Sequence, residues 1–284
     1  MFTLVESKLI YSQLLKKLKS FPDREAKNIS LKYMFLKFNI TGSDLLLNKK
    51  FTWGENQEKS FINDIDQILK KVPVQHVTSS EFFYDSTFYI NKNTLIPRPE
   101  TEELVNNVIK LERSNVKKEI LDIGTGCGCI AITLSNHIKS NVVGIDSSME
   151  AIKVAKKNNS LTSNKVKFIH SKIEEYKPHK FFDVIISNPP YIPKSDIEKV
   201  DDLVLKNEPH AALFVDSDPI YFYKIIISFA QDYLKEDGVV YFEINQNYVG
   251  LLISMLRGCK YSITKDLYGE QRFLRVTSVT SKIT

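Results

Sequence analysis

The sequence predicts an α/β fold in two parts: a small helical piece and then a larger domain on a mostly parallel sheet. Three observations carry that class. Apolar residues recur at helical spacing through residues 1–75. Beyond the stretch Pro97-Arg98-Pro99-Glu100-Thr101-Glu102, short β-branched runs alternate with helical patterns. Between one such run and the next helix stands a glycine-rich turn, Gly124-Thr125-Gly126-Cys127-Gly128.

In the first part, Leu9, Ile10, Leu14 and Leu18 space one helix and Ala26 to Phe38 a second, with Pro22 and Gly42 as punctuation. In EKSFINDIDQILKKV, Phe61, Ile65, Ile68, Leu69 and Val72 mark a third apolar face, ending before Pro73. No strand pattern stands out, so residues 1–75 are expected to form a helical bundle with Trp53 packed inside it. FFYDSTFYI, from Phe82 to Ile90, changes to aromatic and β-branched residues and predicts a hairpin turning at Asp85-Ser86, within a linker over residues 76–95. In LIPRPETEELV, Pro99 suits a first helical turn and the acidic residues suit a helix N-terminus. EILDI, NVVGID, KVKFI, FFDVIIS, GVVYFEI, YSITKDL and RFLRVTSV then read as strands, and Met149 to Asn158 and Ile220 to Leu234 as helices. The α/β domain is thus expected over residues 96–284. There is no internal repeat and no low-complexity segment.

The composition excludes several classes of function. A hydrophobic share of 43% with 26% charged residues suits a globular chain, and no apolar run is long enough for a membrane span. The start lacks the order of a signal peptide, so a cytoplasmic location is expected. Cys127, Cys129 and Cys259 make neither a disulfide framework nor a four-ligand zinc set, and the five histidines are scattered, so no metal is expected. No Gly-x-Ser-x-Gly elbow or P-loop supports a hydrolase or ATPase. The net charge of +5 is uneven: residues 1–80 carry 13 Lys/Arg against 8 Asp/Glu, the rest 26 against 26. A basic first part would favour an acidic partner, or it is a solvated lysine-rich surface.

EILDIGTGCGCIAITL is a strand, a turn and a helix in sequence. Gly124, Gly126 and Gly128 let backbone approach a ligand at the strand's carboxyl end, and Asp146 ends the next strand, where an acid accepts bonds from ribose hydroxyls. The dinucleotide fingerprint is G-x-G-x-x-G, whereas this turn reads G-x-G-x-G with Asp122 before it. An acid there is unwelcome beside phosphate but useful to a cationic, amino-bearing ligand. The combination fits S-adenosylmethionine better than NAD.

SNPPY, Ser187 to Tyr191, closes the run FFDVIIS. In a doubly wound sheet it delivers Asn188 to the same edge as the glycine turn. The Asn188 side-chain carbonyl and the Pro189 carbonyl are two acceptors that can hold both hydrogens of a planar –NH₂, with Tyr191 packed on its flat face. Such a grip suits methylation of a conjugated nitrogen, which needs positioning more than a strong base. The plainer alternative is that two prolines only stop a strand.

Taken in order, LIPRPETEELV, LDIGTGCGCIAI, GID and SNPPYI resemble the release factor glutamine N5-methyltransferases, the HemK/PrmC family. NPPY alone is shared with adenine and cytosine amino-methyltransferases; combined with the PRPETE stretch it is far more specific. The resemblance covers nearly the whole chain. It implies a Rossmann-like S-adenosylmethionine-dependent methyltransferase domain behind a helical domain that recognises substrate. It also implies transfer of a methyl group to the side-chain amide nitrogen of the Gly-Gly-Gln glutamine in class I peptide-chain release factors. By the family's motifs, Gly124, Thr125, Gly126, Gly128, Asp146 and Asn188 bind the cofactor. Asn188, Pro189, Pro190 and Tyr191 hold the substrate amide, with Asn188, Pro189 and Tyr191 as the catalytic set. Pro97, Arg98, Pro99, Glu100 and Thr101 match the lead-in that lines the site, with Arg98 and Glu100 expected to bind substrate. Glu208-Pro209, Phe242-Glu243-Ile244 and Arg272 match without catalytic roles. The chain departs from the family in having Cys127 for Ser or Thr, Ser79 for a glycine and Asn207 for a tyrosine. The acid usual near the adenine is missing from Ile169 to Ile173, with Glu174 and Glu175 the nearest candidates.

The expectation is therefore a monomeric cytoplasmic enzyme acting on release factors, with no membrane and no direct nucleic-acid substrate. An adenine N6 amino-methyltransferase acting on nucleic acid is the alternative, since that base presents the same –NH₂. It would need a basic channel, and the larger part is neutral by count. A cofactor-binding module without catalysis is the rival from another class, and it would have no need of both amide acceptors.

Overall fold

A computed structural model of the chain describes residues 2–162 and 166–279. The chain folds into two compact units, one from the chain up to Phe82 with Asp202–Asn207, the other from Phe83–Asp201 and the chain from Glu208 onward.

The first unit comprises β1 (Phe2–Glu6), α1 (Ser7–Lys17), α2 (Asp23–Phe38), α3 (Gly42–Leu46), β2 (Lys50–Gly54), α4 (Glu55–Leu69) and α5 (Val74–Thr78). Pro22 and Pro73 stand at the N-caps of α2 and α5, where a missing N–H costs nothing, and Thr41 with Asp44 forms a capping box on α3. Ile10, Leu14, Leu18, Tyr33, Met34, Phe61, Ile65 and Ile68 make its core. Two residues of the expected faces, Leu9 and Leu69, are exposed instead, at 52% and 41%. The expectation of helices alone is corrected by an antiparallel ribbon, in which β1 pairs with β2, Thr3 opposite Trp53. Each strand is five residues long and their partners lie far apart in sequence, so only tertiary closure brings their hydrogen-bonding groups together. Trp53 is buried among Phe38, Phe51 and Phe61, as expected of it.

The hairpin β3 (Ser80–Phe83) and β4 (Ser86–Tyr89) turns at Tyr84-Asp85, one residue earlier than expected, with Tyr84 left-handed at φ 61°. The second unit continues with α6 (Pro99–Glu112), β5 (Lys118–Ile123), α7 (Cys129–His137), β6 (Ser140–Asp146), α8 (Met149–Asn159), β7 (Lys167–His170) and β8 (Phe182–Ser187). Lys165, where one strand was expected to begin, lies outside the described residues. A two-residue parallel pair follows, β9 (Ile192–Pro193) with β10 (Phe214–Val215), and between them in sequence comes α9 (Asp202–Asn207), which groups with the first unit. Last come α10 (Tyr221–Tyr233), β11 (Leu234–Glu243), α11 (Val249–Met255), β12 (Lys260–Lys265) and β13 (Gln271–Ser278).

Seven strands form one sheet in the order β12-β13-β11-β8-β5-β6-β7. Pairs from β11 to β7 are parallel, and β13 runs antiparallel to both its neighbours. Alternate residues serve opposite faces. Ile120, Val142, Val184, Ile186 and Tyr241 join α6, α7 and α8 in one core, while Leu121, Val143, Ile185, Val240 and Phe242 join α10 and α11 in the other. With both faces covered, these strands read as continuous apolar runs. The chain leaves β5 for β6 and β7, then returns to β8 on the other side of β5. The carboxyl ends of β5 and β8 therefore flank a topological switch point, where open α/β sheets bind ligands.

Candidate active site

The glycine turn follows β5 and is tied down by backbone. Gly124 and Thr125 both donate N–H to the Ile145 carbonyl at 2.9 Å, and Gly128 donates to the Thr125 carbonyl at 2.8 Å. Gly124, Gly126 and Gly128 are all left-handed, at φ 73°, 57° and 85°, which favours residues without Cβ. Beneath the turn, the Thr125 hydroxyl donates to Asp122 Oδ2 at 2.6 Å. Asp122 is fully buried and absent from the cleft wall, so it supports the turn and does not face a ligand's amino group as the sequence suggested. Burial pushes its carboxyl up to about 7, against the Thr125 bond, which lowers it.

Asp146, at the end of β6, is held from both sides. Its Oδ2 accepts from Gly126 N–H at 2.9 Å and its Oδ1 from Ser148 N–H at 2.8 Å. Burial raises its pKa, and those two N–H groups oppose the rise. Each oxygen keeps a further lone pair for a ligand hydroxyl.

Across the switch point, the Ser187 hydroxyl donates to the Ile123 carbonyl at 2.7 Å, fastening the SNPPY turn to β5. Asn188 Nδ2 donates to Thr101 Oγ1 at 3.2 Å, and Thr101 Oγ1 donates to Glu243 Oε2 at 2.6 Å. With its NH₂ end engaged, Asn188 has its Oδ1 acceptor left for a ligand. The lead-in to α6 is clamped by the buried Glu208, which accepts from Ile96 N–H at 3.1 Å and from Arg98 at 2.5 Å.

These pieces surround a cleft of about 450 Å³. Of the expected site residues, Gly124, Thr125, Gly126, Asp146, Asn188, Pro189, Pro190 and Arg98 line it. Gly128, Tyr191 and Glu100 are not on its wall. Gly128 caps α7 one step below. Tyr191 packs against the core cluster that holds Tyr223 and Phe242, and burial pushes its phenol up to about 12, so it stays protonated. Glu100 acts at a distance, its charge raising Tyr191 and Glu243. Lys172, Ile173 and Glu174 also line the cleft, and Glu175 instead faces Lys172 at 3.8 Å. Cys127 and Cys129 are buried on the wall as free thiols, and Cys129 is kept protonated by its hydrogen bond with Cys127 and by burial. Among the described residues, no His, Cys, Asp and Glu cluster could hold a metal ion.

Asn158 was missed by the sequence reading. It is buried in α8, donates to the carbonyls of Cys127 at 2.8 Å and Tyr89 at 2.9 Å, and accepts from Tyr89 N–H at 2.8 Å. It thereby joins the glycine turn to β4. The available signal was a polar residue on the stripe of Ala151, Val154 and Ala155, all buried. Thr101 and Glu243 stood out in the sequence only as motif matches, and the bonds they make had no signal, because the bonded residues lie 87 and 142 positions apart.

The cleft fits S-adenosylmethionine. A Cβ on Gly124 would meet nothing within 4 Å, so that backbone is bare toward open space, as a cradle requires. Asp146 offers carboxylate acceptors for ribose hydroxyls, and Ile145, Ala151 and Ile173 offer apolar wall for a base. A glycine turn and an NPPY turn flanking the switch point, with a carboxylate at the end of the next strand, are the arrangement of a Rossmann-like, S-adenosylmethionine-dependent methyltransferase. A family model described as "Methyltransferase small domain" matches residues 101–213. A solved methyltransferase from Pyrococcus furiosus shares the fold at TM-score 0.51 and 17% identity, over 79% of this chain and 98% of that one. A release factor glutamine methyltransferase of Flavobacterium psychrophilum is 38% identical over 82% of this chain and 85% of its own length. One from Bacteroides thetaiotaomicron is 33% identical over 89% and 93%. The chain belongs to the release factor glutamine methyltransferase family.

Proposed function

We propose that this enzyme methylates the side-chain amide nitrogen, N5, of the glutamine in the Gly-Gly-Gln motif of class I release factors. The observation that carries this reading is the fixed Asn188 amide, with its acceptor end left for a ligand in the cleft that the glycine turn and Asp146 line. The family's name supports the substrate.

The cofactor, held by the glycine turn and Asp146, supplies an electrophilic sulfonium methyl group. Asn188 Oδ1 and the Pro189 carbonyl accept the two N–H bonds of the substrate amide, which fixes the nitrogen and stabilises the positive charge that develops on it. Pro189 and Pro190 stiffen the turn, and Tyr191 supports it from the core side. The proton shed by the methylated nitrogen leaves to water. Arg98, held by Glu208, and Glu100 shape the lead-in. The first unit, with its basic excess, offers a surface to the protein substrate, and the enzyme works as a monomer in the cytoplasm.

The test mixes the enzyme, labelled cofactor and a release factor, then maps the label by peptide mass spectrometry. A single methyl on the Gly-Gly-Gln glutamine is expected. Asn188→Ala should lower turnover by about 10²–10³-fold, the usual cost of one such oriented contact, with cofactor affinity kept. Label on DNA or RNA and none on the factor would replace this reading with the adenine alternative.

A further inference from the structure

We propose that Thr101 and Glu243 are positioning residues for the transfer: Glu243 draws the single hydroxyl proton of Thr101, which obliges Asn188 to turn its acceptor oxygen to the substrate. The inference rests on the methyl-transfer reading above. A threonine hydroxyl has one hydrogen. That hydrogen lies in the 2.6 Å bond to Glu243 Oε2, so the 3.2 Å contact with Asn188 can be made only by an Asn188 N–H donating to Thr101. The two ends of an asparagine amide are nearly equal in shape, so packing alone does not choose between them. An inverted Asn188 would meet the substrate NH₂ with another NH₂, donors against donors.

Thr101 and Glu243 are both buried, on α6 and at the end of β11. The groups facing Glu243 are Thr101 and Glu100 of α6, Arg98 just before it, and Arg272 of β13. Tyr191 of the SNPPY turn and Tyr223 of α10 feel its charge, and the Tyr223 hydroxyl donates to the Glu243 backbone carbonyl at 3.0 Å. Burial, assisted by Glu100 and opposed by Thr101 and both arginines, pushes the Glu243 carboxyl up to about 7. Above that pH it is a carboxylate and can only accept, which gives the productive polarity. Below it, a protonated Glu243 donates to Thr101, whose own hydrogen is then free for Asn188 Oδ1, and the chain of bonds reverses. Turnover should therefore fall as pH drops through about 7.

The experiment measures kcat, KM for the release factor, cofactor Kd and the pH profile for Thr101→Ser, Thr101→Val and Glu243→Gln. Thr101→Ser keeps the hydroxyl and should stay within about threefold of the parent in kcat. Thr101→Val and Glu243→Gln should each lose about 10- to 100-fold in kcat, the scale of one charge-assisted hydrogen bond, with cofactor Kd kept. The acid limb near pH 7 should vanish in Glu243→Gln. Undiminished kcat in Thr101→Val, equal losses in the Ser and Val variants, or an acid limb that survives Glu243→Gln would each overturn the proposal. If Glu243→Gln does not fold, the Thr101 pair decides alone. Failure of the parent enzyme to methylate the factor while binding cofactor would instead overturn the reading of function, and it is seen before any variant is compared.

Discussion

Asp146, the proposed ribose partner, is held in place by backbone. Two backbone N–H groups fix its plane, so its remaining lone pairs aim without further ordering. Asp146→Ala should raise the cofactor Kd by about 10- to 100-fold, corresponding to loss of about 1.5–3 kcal/mol for a hydrogen bond to a charged group. Calorimetric titration checks this, and an unchanged Kd would remove Asp146 from the cofactor site. The places of these residues were readable in the sequence, because Gly124, Asp146 and Asn188 fall at or just beyond strand ends. Their orientations were not. Which end of the Asn188 amide faces the cleft depends on Thr101 and Glu243, and Asp122 turned from an apparent ligand-facing acid into a support for Thr125.

At the level of elements, the glycines of the cofactor turn have different tasks. Gly128 is left-handed, and a Cβ there would sit 2.9 Å from the Phe168 ring and 3.2 Å from the Ala155 methyl. Gly124 is left-handed too, but its Cβ would enter open space. Gly128→Ala should therefore destabilise the fold by about 1–3 kcal/mol through strain and overpacking together. Gly124→Ala should cost only about 1 kcal/mol for its backbone and act mainly on cofactor binding. Denaturant unfolding of the two variants separates the cases, and equal losses would contradict them. Periodicity found the long elements well: the expected helix from Met149 to Asn158 is α8, and FFDVIIS contains β8. It missed the β1–β2 ribbon and the two-residue β9–β10 pair, whose short strands carry little pattern of their own.

For the whole molecule, the basic excess lies in residues 1–80, with 13 Lys/Arg against 8 Asp/Glu. Among the described residues no helix is long and apolar enough to cross a membrane. Lys16, Lys17 and Lys19 are exposed at and just beyond the end of α1. Reversing all three to Glu should raise the KM for the release factor several-fold, roughly 0.2–1 kcal/mol for each exposed charge contact, with cofactor Kd unchanged. Steady-state kinetics at two salt concentrations checks this, and an unchanged KM would remove the first unit's basic face from substrate binding.

The sequence by itself determined the sheet's strands, the glycine turn, the acid after it and the SNPPY turn. These depend on local spacing and on what each residue type can do, and both are written along the chain. Only the tertiary structure decided that Tyr191 supports the turn from its core side, that Asn158 joins the glycine turn to β4, and that Glu243 acts on Asn188 through Thr101. Those relations are hydrogen bonds and contacts between residues far apart in sequence, and they exist only once the sheet has brought its strand ends together.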